Sequence, residues 1–186
     1  MEPVVLHTDR LVLSPARLDD ADQLTTLLQE PVMGEMLASL PWPYTREDAL
    51  FWLGEMVPLG WASGQAMTWA IRESADGPQL GDIGWRPPRG DVGFWLGAPY
   101  RGRGYMTEAL RAVVEWVFAV NPEFDRIGWE AVAGNVDSAR VARAAGFRYD
   151  VERPVEVRFR DGSFPPGWHG YRLRSDDGSP QPGWPL

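Results

Sequence analysis

The stretch "PYRGRGYMTEALR", residues 99–111, constrains this chain more than any other. It joins a short aromatic strand, "DVGFWLG", to a helix-like run through a turn of alternating arginine and glycine. A glycine turn entering a helix exposes backbone N–H groups at the positive end of the helix dipole, and glycine lets an anion approach the main chain closely. Arg101 and Arg103 add positive charge beside that turn. The same residues also suit a plain turn with solvated arginines. A Walker loop requires Gly-Lys-Ser/Thr, which is absent here. A dinucleotide fingerprint G-x-G-x-x-G fails, because counting from Gly102 puts Thr107 where the third glycine belongs. A disordered RGG-type segment would be repeated, and this one is not. A pyrophosphate held by a single turn remains.

The elements around the turn point to one fold class. "DRLVLSPA" alternates like a strand, and "DDADQLTTLLQE" has helical spacing with an acidic start. "LPWPY" is barred from regular structure by Pro41 and Pro43. Thr45 opens a capping-box-like Thr-Arg-Glu-Asp ahead of the helical run "ALFWLGEMV". "AMTWAIRE", "QLGDIGW" and "DVGFWL" read as strands parted by the turn signals "SADGP" and "RPPRG". Met106, Leu110, Val113, Val114, Val117 and Phe118 make one apolar helical stripe. "RIGWEAV" is a strand, Asn135 caps "VDSARVARAA", and Gly146 closes that helix. "FRYDVERPVEVRF" and "WHGYRLR" read as a final strand pair. This order predicts an α+β mixed sheet with two strand-to-helix junctions near its middle. The domain is expected over residues 1–174, followed by an aperiodic tail at 175–186.

Composition narrows the function. The chain of 186 residues has no cysteine, which excludes disulfides, thiolate metal sites and a cysteine nucleophile. Its two histidines, His7 and His169, make no metal cluster, so no metal is expected. A net charge of −8 argues against a nucleic-acid partner, which needs basic surface. No apolar stretch reaches the roughly 18 residues of a membrane span, and no export signal is evident, which fits a cytoplasmic protein without a membrane partner.

Four segments in order, "HTDRLVL", "LPWPYTREDA", "YRGRGYMTEAL" and "GNVDSARVARAAGF", resemble the GNAT superfamily of acetyltransferases. They are most similar to the RimJ/RimL-like branch of ribosomal-protein N-terminal acetyltransferases. Arg101-x-x-Gly104 resembles that family's acyl-coenzyme A signature, Gln/Arg-x-x-Gly-x-Gly/Ala, with Met106 in place of the last small residue. The resemblance spans roughly residues 7 to 173. It implies a mostly antiparallel sheet flanked by helices, with a splayed strand pair holding the pantetheine arm of acetyl-CoA. It implies that the Leu96 main chain pairs with the cofactor, and that Gly102, Arg103, Gly104, Tyr105 and Met106 cradle the pyrophosphate, flanked by the Arg101 and Arg103 side chains. It gives Asn135 a contact to the arm and Arg143 a reach toward the nucleotide's extra phosphate. A homodimer is a common assembly in the family.

The implied reaction moves an acetyl group to a primary amine, on a peptide N-terminus or a small molecule, by direct transfer in a ternary complex. An α-amine titrates near ~8 and needs little help, whereas a lysine amine near ~10.4 needs a base or a desolvating pocket. Candidate bases are Glu130, on the strand before Asn135, and Glu152 or Glu156 beyond Gly146-Phe147. Many family members carry a tyrosine seven residues after the asparagine as the acid at sulfur. Ala142 stands there, and Ser138, three residues after Asn135, takes the place of a serine found in the resembled branch. The alternative to an enzyme is an acyl-CoA sensor that kept the cradle and lost the chemistry.

Overall fold

The computed structural model describes residues 2–186. A hairpin of β1 (Leu6–His7) and β2 (Val12–Ser14) comes first. Four short helices follow: α1 (Ala21–Leu27), α2 (Pro31–Met36), α3 (Arg46–Phe51) and α4 (Val57–Ser63). β3 (Met67–Arg72), β4 (Gly81–Arg86) and β5 (Asp91–Leu96) form an antiparallel meander. Then come α5 (Tyr105–Val120), β6 (Arg126–Val132), α6 (Val136–Ala144), β7 (Arg148–Tyr149), β8 (Val155–Glu156) and β9 (Pro166–Leu173). The strands make one sheet in the order β1-β2-β3-β4-β5-β6-β9-β7, with β8 also paired to β9. The predicted mixed, mostly antiparallel sheet is present.

Local signals act where the sequence places them. Thr45 Oγ1 accepts from the Asp48 N–H at 3.2 Å, and the Asp48 carboxylate accepts from the Thr45 N–H at 2.8 Å, a reciprocal box that starts α3. The helical run continues past Val57 to Ser63. Pro58 has no N–H for the carbonyl four residues back, and a π-helical turn at Trp52–Met56 precedes it. The expected strand before β9 is broken into β7 and β8. Arg148 pairs with Tyr171 but Val155 with Gly167, so seven residues on one side span four on the other. The Asp150 N–H still donates to the His169 carbonyl at 2.9 Å, and residues 151–154 leave the ladder, where Pro154 has no N–H to contribute.

The sheet separates two apolar clusters. On one face α5 and α6 pack on Trp69, Ile83, Trp85, Val92, Leu96 and Trp129. On the other face α1, α2 and α3 enclose Leu24, Met33, Tyr44 and Leu53, with Trp95 against them. Side chains alternate along β5, so Phe94 and Leu96 face the first cluster and Trp95 the second.

β5 and β6 run parallel and pair only at Asp91–Gly128 and Val92–Trp129. Beyond that point β5 stays with β4 as far as Leu96, and β6 stays with β9 as far as Val132. The two strands therefore part into a gap, the splayed pair that the resemblance implies. The tail at 175–186 is held by the body of its own chain. Trp184 lies 5.4 Å from the Trp129 ring and 5.5 Å from Tyr149, and its Nε1 donates to the Phe147 carbonyl at 3.2 Å. Gly146, with φ +88°, lets the tail pass so closely that a Cβ there would sit 2.6 Å from the Gly178 Cα. Among the described residues, no helix is long and apolar enough to cross a membrane.

Candidate active site

The gap opens into a groove of about 660 Å³ that passes from one face of the sheet to the other. On the α5/α6 face it is lined by Phe94, Leu96, the turn and first residues of α5, and by Asn135, Ser138, Arg140 and Val141 of α6. On the opposite face Trp95 and α2 form its wall.

The turn leaves main-chain donors open. Gly102 and Gly104 have φ of +74° and +78°, a region L-residues rarely adopt, and a Cβ on Gly102 would meet nothing within 4 Å. Gly104 is the N-cap of α5 and brings no side chain to it. The first intrahelical bond runs from the Glu108 N–H to the Gly104 carbonyl at 3.1 Å, so the amides of Tyr105, Met106 and Thr107 have no intrahelical acceptor. An open glycine turn ahead of three free amides fits a pyrophosphate.

β5 adds donors at the gap. The Gly97 N–H donates to the Leu80 carbonyl at 2.9 Å, continuing the ladder to β4. Alternation along that ladder turns the Leu96 N–H the other way, into the gap. The Leu96 carbonyl is held by Arg101 Nε at 2.8 Å. The rest of the Arg101 guanidinium forks onto Glu30, at 3.0 and 2.7 Å. Arg101 thus lines the groove as a brace between β5 and α2, its charge matched by a carboxylate, and does not stand free beside the turn.

Arg10 and Glu108 hold the turn from behind, a pairing the sequence pattern leaves unmarked. Arg10 Nη1 donates to the Arg103 carbonyl at 2.9 Å, while its Nε reaches Glu108 at 2.7 Å. Burial alone would raise the Glu108 carboxyl, but hydrogen bonds from Thr8 and Arg10 outweigh it and hold the group below its usual range. The Arg103 side chain is exposed and lies outside the lining.

Asn135 and Ser138 meet at the start of α6. Asn135 Oδ1 accepts from the Ser138 N–H at 3.2 Å, which caps α6 and leaves the Ser138 hydroxyl uncommitted to the cap. Trp129 Nε1 donates to Ser138 Oγ at 3.1 Å. An indole N–H only donates, so this bond leaves the Ser138 proton free to serve another acceptor. Ala142 is fully buried, one turn farther along.

Three other candidates stand apart from this groove. Glu130 alternates with Trp129 on β6, so it faces away from Ser138, and it is ion-paired to Arg89 at 2.7 Å. Glu156 is exposed on β8, with β9 between it and β6. Arg143 donates to the Gln181 carbonyl at 3.2 Å in the tail, and Arg140 occupies the groove instead, 3.3 Å from Asp137.

One buried carboxyl also bears on the groove. Asp82 accepts from Trp95 Nε1 at 3.2 Å and from Gln79, beneath the indole that forms the far wall. Burial pushes its carboxyl up to about 7, aided by the nearby Asp20 charge and opposed by the Trp95 hydrogen bond. Among the described residues, no group of three His, Asp or Glu side chains is placed to hold a metal ion.

Comparisons agree with this geometry. Residues 10–148 match the family model described as an acetyltransferase (GNAT) domain. No curated sequence shows a significant match to the chain. A Salmonella typhimurium acetyltransferase that modifies the N-terminal serine of ribosomal protein L7/L12 superposes with a TM-score of 0.75 at 18% identity, covering 91% of this chain and 99% of that one. A RimL L7/L12 α-N-protein acetyltransferase in complex with coenzyme A gives 0.74 at 18% identity, covering 91% and 98%. The microcin C7 self-immunity acetyltransferase MccE, with acetyl-CoA and AMP, gives 0.73 at 18% identity, covering 89% and 93%. At that identity the likeness is one of fold, and the family match carries the assignment: the chain belongs to the GNAT acetyltransferases, enzymes whose acyl donor is acetyl-CoA.

Proposed function

We propose that this protein moves the acetyl group of acetyl-CoA to a primary amine by direct transfer in a ternary complex, within a domain ending near residue 174. The single observation that carries this reading is the gap between β5 and β6, with the Leu96 N–H, three α5 amides and the Ser138 hydroxyl along one groove. Bound acetyl-CoA supplies a thioester, an acyl group activated for attack. The amides of Tyr105, Met106 and Thr107, with Gly102 and Gly104, would receive the pyrophosphate. Arg140, which lines the groove, suits the nucleotide phosphate better than Arg143 does. The Leu96 N–H would donate to the thioester oxygen and stabilise charge that grows as the amine attacks. As the C–N bond forms and the C–S bond breaks, Ser138 would give its proton to the departing sulfur and regain one from the nitrogen, which carries an extra proton after attack. Its orientation by Trp129 supports that role.

With no cysteine in the chain, no thiol can carry the acetyl group between donor and acceptor. The RimL enzymes act on a protein N-terminus, which supports a peptide α-amine as acceptor here. Such an amine asks little of a base, and neither Glu130 nor Glu156 shares the groove with Ser138. The test is thiol release from acetyl-CoA across a panel of peptides and small amines. Amine-dependent release supports the reading. Binding of acetyl-CoA without release for any amine would support a sensor.

A further inference from the structure

The two ends of the groove differ in chemistry, and the difference bears on the acceptor. The α5/α6 end offers amides, Asn135, Ser138 and Arg140. The opposite wall is made of Val32, Met33, Met36 and Leu37 from α2, closed by the Trp95 indole. None of these five residues carries a charge. Of the acids beside this wall, Glu30 is spent on both nitrogens of the Arg101 fork, Asp82 is buried beneath the Trp95 indole, and Glu35, exposed on α2, lies outside the lining. Among the described residues the one acid in the lining, Asp137, sits at the start of α6 on the other face, beside Arg140.

This wall is held in place from several sides. The Arg160 main chain donates to the Ala38 carbonyl at 2.9 Å, and its Nη1 to the Gly34 carbonyl at 2.7 Å, which ties α2 to the β8–β9 loop. The Trp42 indole packs so closely on Gly34 that a Cβ there would lie 2.5 Å from it. Trp95 is fixed by its bond to Asp82. A firm apolar wall keeps its shape when empty and rewards a side chain that fills it.

We propose that the acceptor is the α-amine of a peptide whose first residue carries a large apolar side chain, such as Leu, Met or Phe. The proposal rests on the acetyl-transfer reading above. Two physical effects point the same way. Removing an amine from water disfavours its charged form, so an apolar wall helps the α-amine shed the proton that blocks attack. A polyamine or aminoglycoside must place several cations, and this wall gives them no carboxylate.

The test compares acetyl-CoA thiol release with peptides that differ only in the first residue, alongside spermidine and an aminoglycoside. Leu-, Met- and Phe-initiated peptides should exceed Ser- and Gly-initiated ones at least tenfold in kcat/KM, a span ordinary for filling an apolar pocket. Met36→Glu should abolish that preference while acetyl-CoA still raises the Tm as in the wild type. Equal rates across first residues, or faster turnover of the polyamine or aminoglycoside, would overturn the proposal. So would octanoyl-CoA outpacing acetyl-CoA with a Ser-initiated peptide, since the wall would then hold the acyl chain. Thiol release with Ser peptides alone sinks the acceptor class and spares acetyl transfer. No release with any amine, despite a Tm rise with acetyl-CoA, sinks both.

Discussion

The two faces of the sheet meet at one groove but build their shares of it from different materials. The α5/α6 face works mainly through main chain: a glycine turn, a helix start and a strand edge that has lost its neighbour. The α1–α3 face works through side chains brought from distant parts of the chain, such as Glu30 meeting Arg101 and Trp95 resting on Asp82. Main-chain donors exist whatever the side chains are, so the first face depends less on its exact sequence than the second does. Under the proposal above, the second face is the one that varies with the acceptor.

Five substitutions probe that contrast. Gly104→Val adds a branched side chain at a φ of +78° and against Arg10, whose Nη2 lies 3.4 Å from a Cβ there, so the turn must shift and acetyl-CoA binding should weaken by up to about 100-fold, the worth of roughly 1–3 kcal/mol of strain. Isothermal titration of the folded variant checks this, and unchanged affinity would remove the turn from the cofactor site.

Asp82→Asn tests the side-chain face through pH. The unfolded carboxyl titrates near 3.8 and the folded one near 7, so between those values only the folded state keeps the proton. Wild-type stability should therefore fall as pH rises through that window, by up to about 1.4 kcal/mol per unit, and flatten above it. His169, held below 6.5 mainly by burial and then by Arg153, pulls the opposite way within the window, so the wild type must be compared with the variant. Urea denaturation at pH 5 and pH 8 should show a loss about 2 kcal/mol larger for wild type than for Asp82→Asn. Parallel profiles would mean that Asp82 stays charged.

Ser138→Ala should lower kcat about tenfold with acetyl-CoA affinity intact. The effect falls below the usual 10²–10⁴ for acid catalysis because a thiolate near pKa ~8.5 leaves readily. Its structural cost, about 1 kcal/mol for an orphaned Trp129 N–H, is read separately from a denaturation curve. Full turnover would end the acid role. The smallest effect belongs to the arginines of α6. Arg140→Ala should weaken acetyl-CoA binding about threefold, near the worth of an exposed ionic contact, and Arg143→Ala should not. The reverse ranking would return the phosphate to Arg143.

What sequence reasoning reached follows the same division. The glycine turn, the Thr45 box and the Asn135 cap depend on neighbours within a few residues, so their chemistry is visible in a string of letters. The α2 wall is not. Its six residues are too short for a periodic signal, and Pro31 at the first helical position is the only local mark. Arg101 reads as a free cation until a partner 71 residues away claims it. Glu156 reads as a candidate base because nothing in the spacing shows residues 151–154 leaving the ladder. Arg140 and Arg143 lie about 60° apart around one helix, and only the docking of α6 decides which meets the groove.

The bond between Trp95 and Asp82 gives the protein an optical consequence. The indole forms a wall of the groove and hangs on a carboxyl that gains or loses its proton near neutrality. Its fluorescence should therefore change colour or intensity around pH 7, and again when an apolar group settles against the ring. Subtracting the emission of Trp95→Phe from that of the wild type isolates this signal from the other nine tryptophans. With the acceptor placed as proposed, its occupancy becomes visible in a cuvette without any label.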